Sequence, residues 1–118
     1  MKAEKQNKLF KAFPKLFVQK DLDKKQTCMC WGIETPDEWY DIIYNACELI
    51  QGMIDSNQHL SDKYPQIEFT QVKEKWGALC MYYYPNVAYF DGIIDMADSM
   101  VQFLDKKNKK NRIGGKYE

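Results

Sequence analysis

The chain has 118 residues, 45% of them hydrophobic and 14% aromatic, and its 17 basic and 17 acidic side chains balance to zero formal charge. That length supports one domain around one core, and the hydrophobic fraction excludes a disordered chain. The longest apolar run, Ala78 to Tyr84, falls far short of the roughly 20 residues a spanning helix needs. Met1 to Gln6 lacks the apolar centre of a signal peptide, so a cytoplasmic protein with no membrane role is expected. The zero net charge conceals three blocks: +5 over residues 1–25, −10 over 26–105 and +5 over 106–118. The single domain, 1–118, therefore divides into a basic arm (1–26), an acidic body (27–105) and a basic, flexible tail (106–118).

Residues 4–13 place Leu9, Phe10 and Phe13 on one side of a helix and lysines on the other. Pro14 interrupts that helix, and Lys15 to Val18 can start a second short turn. Five large apolar residues in so short a stretch predict an arm docked on the body. Asp21 to Gln26 is a polar loop, and Thr27 to Ile33 is a short strand or buried turn. Thr35-Pro36-Asp37-Glu38 combines an N-cap, a proline at the first helical position and a capping-box glutamate. The capped helix that follows should run to about Asn57, with Trp39, Ile42, Ile43, Ala46, Ile50, Met53 and Ile54 on its inner face. Ser56 to Pro65 is a polar connection. Gln66 to Lys73 and Ala78 to Tyr84 form strands around a Glu74–Gly77 turn, and both faces are apolar enough to be covered. After Pro85, Asn86 caps a last helix from about Val87 to Lys106 whose core stripe is Val87, Phe90, Ile93, Ile94, Ala97, Val101 and Leu104. Asp91, Asp95 and Asp98 read as its solvated acidic face. A tail containing Gly114-Gly115 should be mobile. The fold class is α+β: a helical arm, a long capped helix, a β-hairpin joined to a three-stranded sheet by the 28–33 segment, and a closing helix.

Cys28, Cys30, Cys47 and Cys80 are irregularly spaced and read as free, mostly buried thiols. Cys28-Met29-Cys30 has no second pair or nearby histidine to complete a zinc site, and the sole histidine, His59, sits in a polar connection. Without a glycine-rich phosphate loop, a zincin helix or a nucleophile elbow, no catalytic residue, metal or cofactor is expected. The candidate ligand-binding residues are Lys73, Lys75, Trp76, Tyr82 and Tyr84, which join cationic donors to flat aromatic faces as a nucleotide requires. Equally open is Trp76 as a plug over the core, with its indole N–H bonded to a backbone carbonyl. Met96, Met100 and Phe103 lie beside the core stripe of the last helix and predict a homodimer.

Cys30-Trp31-Gly32-Ile33, the Trp39-Tyr40-Asp41-Ile42-Ile43 helix and the run Gln71-Val72-Lys73-Glu74-Lys75-Trp76-Gly77-Ala78-Leu79 resemble a family of small uncharacterised proteins of tailed phages and prophages. In those relatives the last run reads like QVKEKFGGLRFY, and the similarity spans roughly residues 9–104. Many relatives end in a CxxC-type knuckle, whereas this chain has Lys106-Lys107-Asn108-Lys109-Lys110 there, so no metal role transfers. The resemblance implies a non-enzymatic phage accessory protein acting in the host cytoplasm. It would bind and sequester a host factor, most concretely a nucleotide-like defence signal. Alternatives are an inhibitor or assembly module acting on a host protein, and nucleic-acid binding through the basic ends. The last is disfavoured by the acidic body and a single arginine, Arg112.

Overall fold

The computed structural model describes the backbone of residues 1–112 and the side chains of residues 1–110. The Gly114-Gly115 segment lies outside the described residues. In chain order the elements are α1 (Ala3–Ala12), β1 (Ile33–Glu34), α2 (Tyr40–Ser56), β2 (Glu68–Lys75), β3 (Ala78–Tyr84) and α3 (Ala88–Arg112). Short 3-10 turns stand at Val18–Asp21, Met29–Trp31, Asp37–Trp39 and Gln58–Leu60. The sheet is mixed, in the order β1-β2-β3, and the architecture is α+β as expected. The 28–33 segment does join the sheet, but as a 3-10 turn followed by only two strand residues. Ile33 and Glu34 run parallel to β2 opposite Val72 and Lys73. Among the described residues no helix is long and apolar enough to cross a membrane.

The arm docks because its apolar residues are the core. Leu9, Leu16 and Phe17 are fully buried, and Phe17 packs against Phe69 of β2 at 5.2 Å between ring centroids. Backbone bonds then fix it: Leu16 C=O accepts the Phe69 N–H at 2.8 Å, extending the edge of β2 beyond β1. The Ile33 N–H donates to Gln6 Oε1 at 2.9 Å, and the N-terminal ammonium donates to the Ile33 carbonyl at 3.2 Å. Gly32 has φ +76°, a conformation that favours glycine, and a Cβ there would push the Gln6 side-chain oxygen off the Ile33 N–H. The buried Thr27 hydroxyl donates to the Thr70 carbonyl at 3.1 Å and accepts the Met29 N–H at 3.0 Å. Thr70 is the residue skipped where the β2–β3 register shifts between Phe69 and Gln71.

The start of α2 departs from expectation. Asp37–Trp39 forms a 3-10 turn, α2 begins at Tyr40, and no side chain caps either start. The Thr35 hydroxyl is spent on the Pro36 carbonyl at 3.2 Å, and Asp37 Oδ1 accepts the Lys2 N–H at 2.7 Å. The box therefore does not close, and Asp37 within it instead fastens the start of α1 to the body. The inner face of α2 is otherwise as read, with Trp39, Ile43, Ala46, Ile50 and Ile54 buried, and Cys47 with them.

The last helix differs more. It continues to Arg112, so residues 106–112 of the expected flexible tail are helical. Its aspartates are not simply solvated. Leu79 N–H donates to Asp98 Oδ1 at 2.9 Å, and Trp39 Nε1–H donates to Asp105 Oδ1 at 3.0 Å. The Tyr83 hydroxyl accepts the Val87 N–H at 3.2 Å and shares its proton between the Asp91 carboxylate and the Val87 carbonyl. Asp91, Asp98 and Asp105 recur every seven residues, so one line along α3 clamps it to β3 and to Trp39. Of the three aspartates read as a solvated face, Asp95 alone is left with that role.

Partial burial, then the Asp91 bond, pushes the Tyr83 phenol up to about 12. A raised folded value favours the protonated fold, so its contribution is intact below pH about 10 and lost as pH rises toward about 12. Tyr83→Phe should cost about 1 kcal/mol at neutral pH. Denaturant titrations at pH 8 to 12 check this. The variant should lose less stability than wild type across the alkaline interval.

Candidate functional site

Residues opposed in an antiparallel pair share a face, so the register of β2 and β3 sorts the hairpin. Val72–Met81 and Phe69–Tyr83 face the helices, together with Leu79. Gln71–Tyr82, Lys73–Cys80, Lys75–Ala78 and Glu68–Tyr84 face the opposite way. The structure therefore brings Lys73, Lys75, Tyr82 and Tyr84 onto one face. That face is open, which corrects the expectation of a sheet covered on both sides. Tyr82 is 45% exposed and Tyr84 70%. The physical reason is supply: the buried residues of the helices and the arm meet the inner residues of the sheet in one core cluster, and among the described residues none forms a second layer over the outer face.

Trp76 is the clearest result. It is 93% exposed, so it is no plug over the core. The expected four-residue turn is also tighter than read. Lys75 pairs with Ala78, leaving Trp76 and Gly77 as the two turn residues, with φ +56° and +83°. Two positive φ values define a type I′ turn, which favours asparagine, aspartate or glycine at its first position. A bulky aromatic there is a steric outlier. Gly77 N–H donates to Glu74 Oε1 at 2.8 Å, which holds the turn closed. This chain thus carries a strained backbone and a fully solvated indole at one residue, and such strain concentrates where function requires it.

The five predicted residues share a surface but do not converge. Six strand steps separate Ala78 from Tyr84, about 20 Å, so Lys75 and Trp76 stand at one end and Tyr84 at the other. Cys80 lies between, and its side chain raises Tyr82 above its ordinary range through a hydrogen bond and through its charge when ionised. The arrangement is a flat stripe carrying two lysines and three aromatics. It can hydrogen-bond, stack and bury apolar area along its length.

Concavities lie elsewhere, and two of them the sequence does not show. One, of about 490 Å³, runs between α2 and α3 and is lined by Ile42, Leu49, Tyr89, Ile93, Met96 and Met100 among others. Exposed Met96 and Met100 were the signal; Leu49 and Tyr89 needed the helix pairing. The other, of about 890 Å³, is bounded by 61–65 and 85–89, where the Tyr64 and Tyr89 rings meet edge to face at 6.0 Å.

The four cysteines are free. Cys47 alone is buried, and burial pushes its thiol well above the usual range. Cys28 is exposed and Cys30 and Cys80 half-buried, so the expectation of mostly buried thiols fails. The CxC pair sits on a 3-10 turn that turns Met29 inward and its flanking cysteines outward. Among the described residues no group of three or more histidine, cysteine or acidic side chains could hold a metal. His59 is exposed in the Gln58–Leu60 turn.

Trp76→Asn installs the preferred asparagine-glycine turn and removes a side chain that packs on little. It should stabilise the fold by about 1 kcal/mol, a rise of roughly 4–8 °C in melting temperature for a domain of this size. Thermal unfolding followed by circular dichroism checks the sign.

Comparison with known protein families, curated proteins and solved structures finds no match to the chain, so the reading of its function rests on this geometry and on the sequence.

Proposed function

We propose that the protein is a binding module, not an enzyme, and that it docks a protein partner on the open face of its hairpin. Trp76 is the anchor, and Lys73, Lys75, Tyr82 and Tyr84 form the surrounding contact. The observation that supports this most is Trp76, held 93% exposed on a turn that disfavours it. Tryptophan and tyrosine carry much of the binding energy in protein interfaces, and the lysines here serve mainly to steer an acidic partner. The resemblance to phage proteins makes a host protein in the host cytoplasm the expected target, which the module would inhibit or sequester.

A nucleotide-like defence signal is the second reading, favoured by lysines and tyrosines on one face. It is weaker for a geometric reason. Small ligands bind in concavities that bury most of their surface, whereas this stripe is flat and about 20 Å long. A single nucleotide could not reach Trp76 and Tyr84 together. Nucleic-acid binding through the basic ends would require a polyanion to approach a body of charge −10.

Affinity capture from host lysate, followed by quantitative binding to the captured protein, tests the proposal. Trp76→Ala should weaken binding by about 2 kcal/mol or more, roughly thirtyfold, without lowering the melting temperature. Lys73→Ala with Lys75→Ala should act mainly on the association rate, and that effect should shrink as salt rises. Calorimetric binding of a cyclic or linear nucleotide that is lost in both variants would replace the protein partner with the nucleotide. Full activity in both would place the function off the hairpin.

A further inference from the structure

α3 carries a second apolar stripe that the fold uses only in part: Ile93 leans on the core and Tyr89 on Tyr64, while Met96, Met100 and Phe103 are left exposed. Phe90, Ile94, Ala97 and Val101 face the core, while Tyr89, Ile93, Met96, Met100 and Phe103 recur at alternating steps of four and three on an adjacent face. Such spacing makes a straight seam on a helix and matches the seam of paired helices. Met96 is 62% exposed and Phe103 72%. Beside the seam runs the groove between α2 and α3, walled by Ile42 and Leu49.

Charge along α3 says what covers it. In its first half Asp95 lies off the carboxylate line that holds β3, while Lys106, Lys107, Lys109 and Lys110 stand in its last turns. A parallel neighbour of the same kind would set like charges side by side. An antiparallel one sets basic turns against acidic ones and also opposes the two helix dipoles. With a two-fold axis near Ser99, Met96 of each copy lies at the level of Phe103 of the other. Lys106 of each then comes level with the turn between Gly92 and Asp95, on the same flank of the seam. Gly92 adds no bulk there, since nothing lies within 4 Å of where its Cβ would be. The area also suffices. Leu49, Tyr89, Met96, Met100 and Phe103 together expose on the order of 500 Å² per copy, and two copies about 1,000 Å², the lower bound of a specific interface.

We propose that the α2–α3 groove is the seat of a second copy of this chain, which pairs antiparallel along α3 with Phe103 as the inserted knob. This does not depend on what the hairpin binds. Sedimentation of the full chain at tens of micromolar should give a dimer that weakens with added salt. Phe103→Glu and, separately, Met96→Glu should give monomers with unchanged helical circular dichroism, because both side chains are largely exposed. Asp95→Lys should weaken the dimer roughly tenfold, since the symmetry places the repulsion at two sites. Adding Lys106→Glu to Asp95→Lys should restore affinity to within about threefold of wild type. A wild-type monomer would overturn the proposal. So would a dimer indifferent to both glutamate variants, or a charge swap that fails to compensate, since a parallel pair gives no rescue.

Discussion

The rest of the structure depends on how α3 is rotated about its own axis, and three carboxylates fix that rotation. Asp98 takes the Leu79 N–H, Asp91 takes the Tyr83 hydroxyl and Asp105 takes the Trp39 indole. β3 is an edge strand, and its outward N–H groups would otherwise invite another strand; Asp98 occupies one of them. Once the carboxylate line is held on β3, helical geometry dictates the remainder. Phe90, Ile94, Ala97 and Val101 turn into the core, and the Met96–Met100–Phe103 stripe is forced outward along α2. The exposed apolar face is therefore a consequence of the clamp and not of loose packing.

A comparable constraint acts on the sheet. Three strands and the helices available to this chain make two layers, so one face of the hairpin must stay open. On a purely structural surface, polar residues and an asparagine-glycine turn would be the stable solution. Here the open face carries Tyr82 and Tyr84 and the turn carries Trp76 at positive φ. Stability is given up locally, and the loss falls on residues that the core does not need. With fold and surface chemistry carried by opposite faces of the same two strands, the partner-binding role proposed for the hairpin would cost the inner packing nothing.

Much of the fold was readable from periodicity, because periodicity reports burial. The docking of Leu9, Leu16 and Phe17 and most of the inner faces of α2 and α3 follow from spacing, but Ile42, Met53, Val87, Ile93 and Leu104, read as core, are only half-buried at its margin. What periodicity does not report is which polar side chain meets which backbone group. Thr35 and Glu38 look like a capping box in sequence, but the Thr35 hydroxyl turns to the Pro36 carbonyl, and Asp37 between them is claimed by Lys2, 35 positions away. The aspartates of α3 look solvated because their partners, Leu79, Tyr83 and Trp39, come from other elements. Lys106 to Arg112 looks like a tail because it has no apolar stripe, yet the helix simply continues through it. The hairpin residues were readable as types but not as a surface. Lys73 and Tyr82 share a face because the two-residue turn pairs Lys75 with Ala78 and so sets the register, while the shift at Thr70 returns Phe69 to the inner face beyond it. Trp76 could be assigned to solvent only once its backbone was known to occupy the turn.

The two surfaces are compatible. On α3, Asp98 and Met96 are two residues apart, or about 200° around the helix. The line that holds β3 therefore lies nearly opposite the seam proposed to pair two copies. A pair joined along α3 would leave both hairpins outside the interface, each with its Trp76 free. Two-fold symmetry would set the anchors apart at a fixed distance and turn one modest contact into a bivalent one. A partner with two equivalent sites at that spacing would be held far more tightly than by either hairpin alone, while one with a single site would gain nothing. If the copies pair as proposed, the rotation of α3 would govern more than packing, because it would make the hairpin one of two.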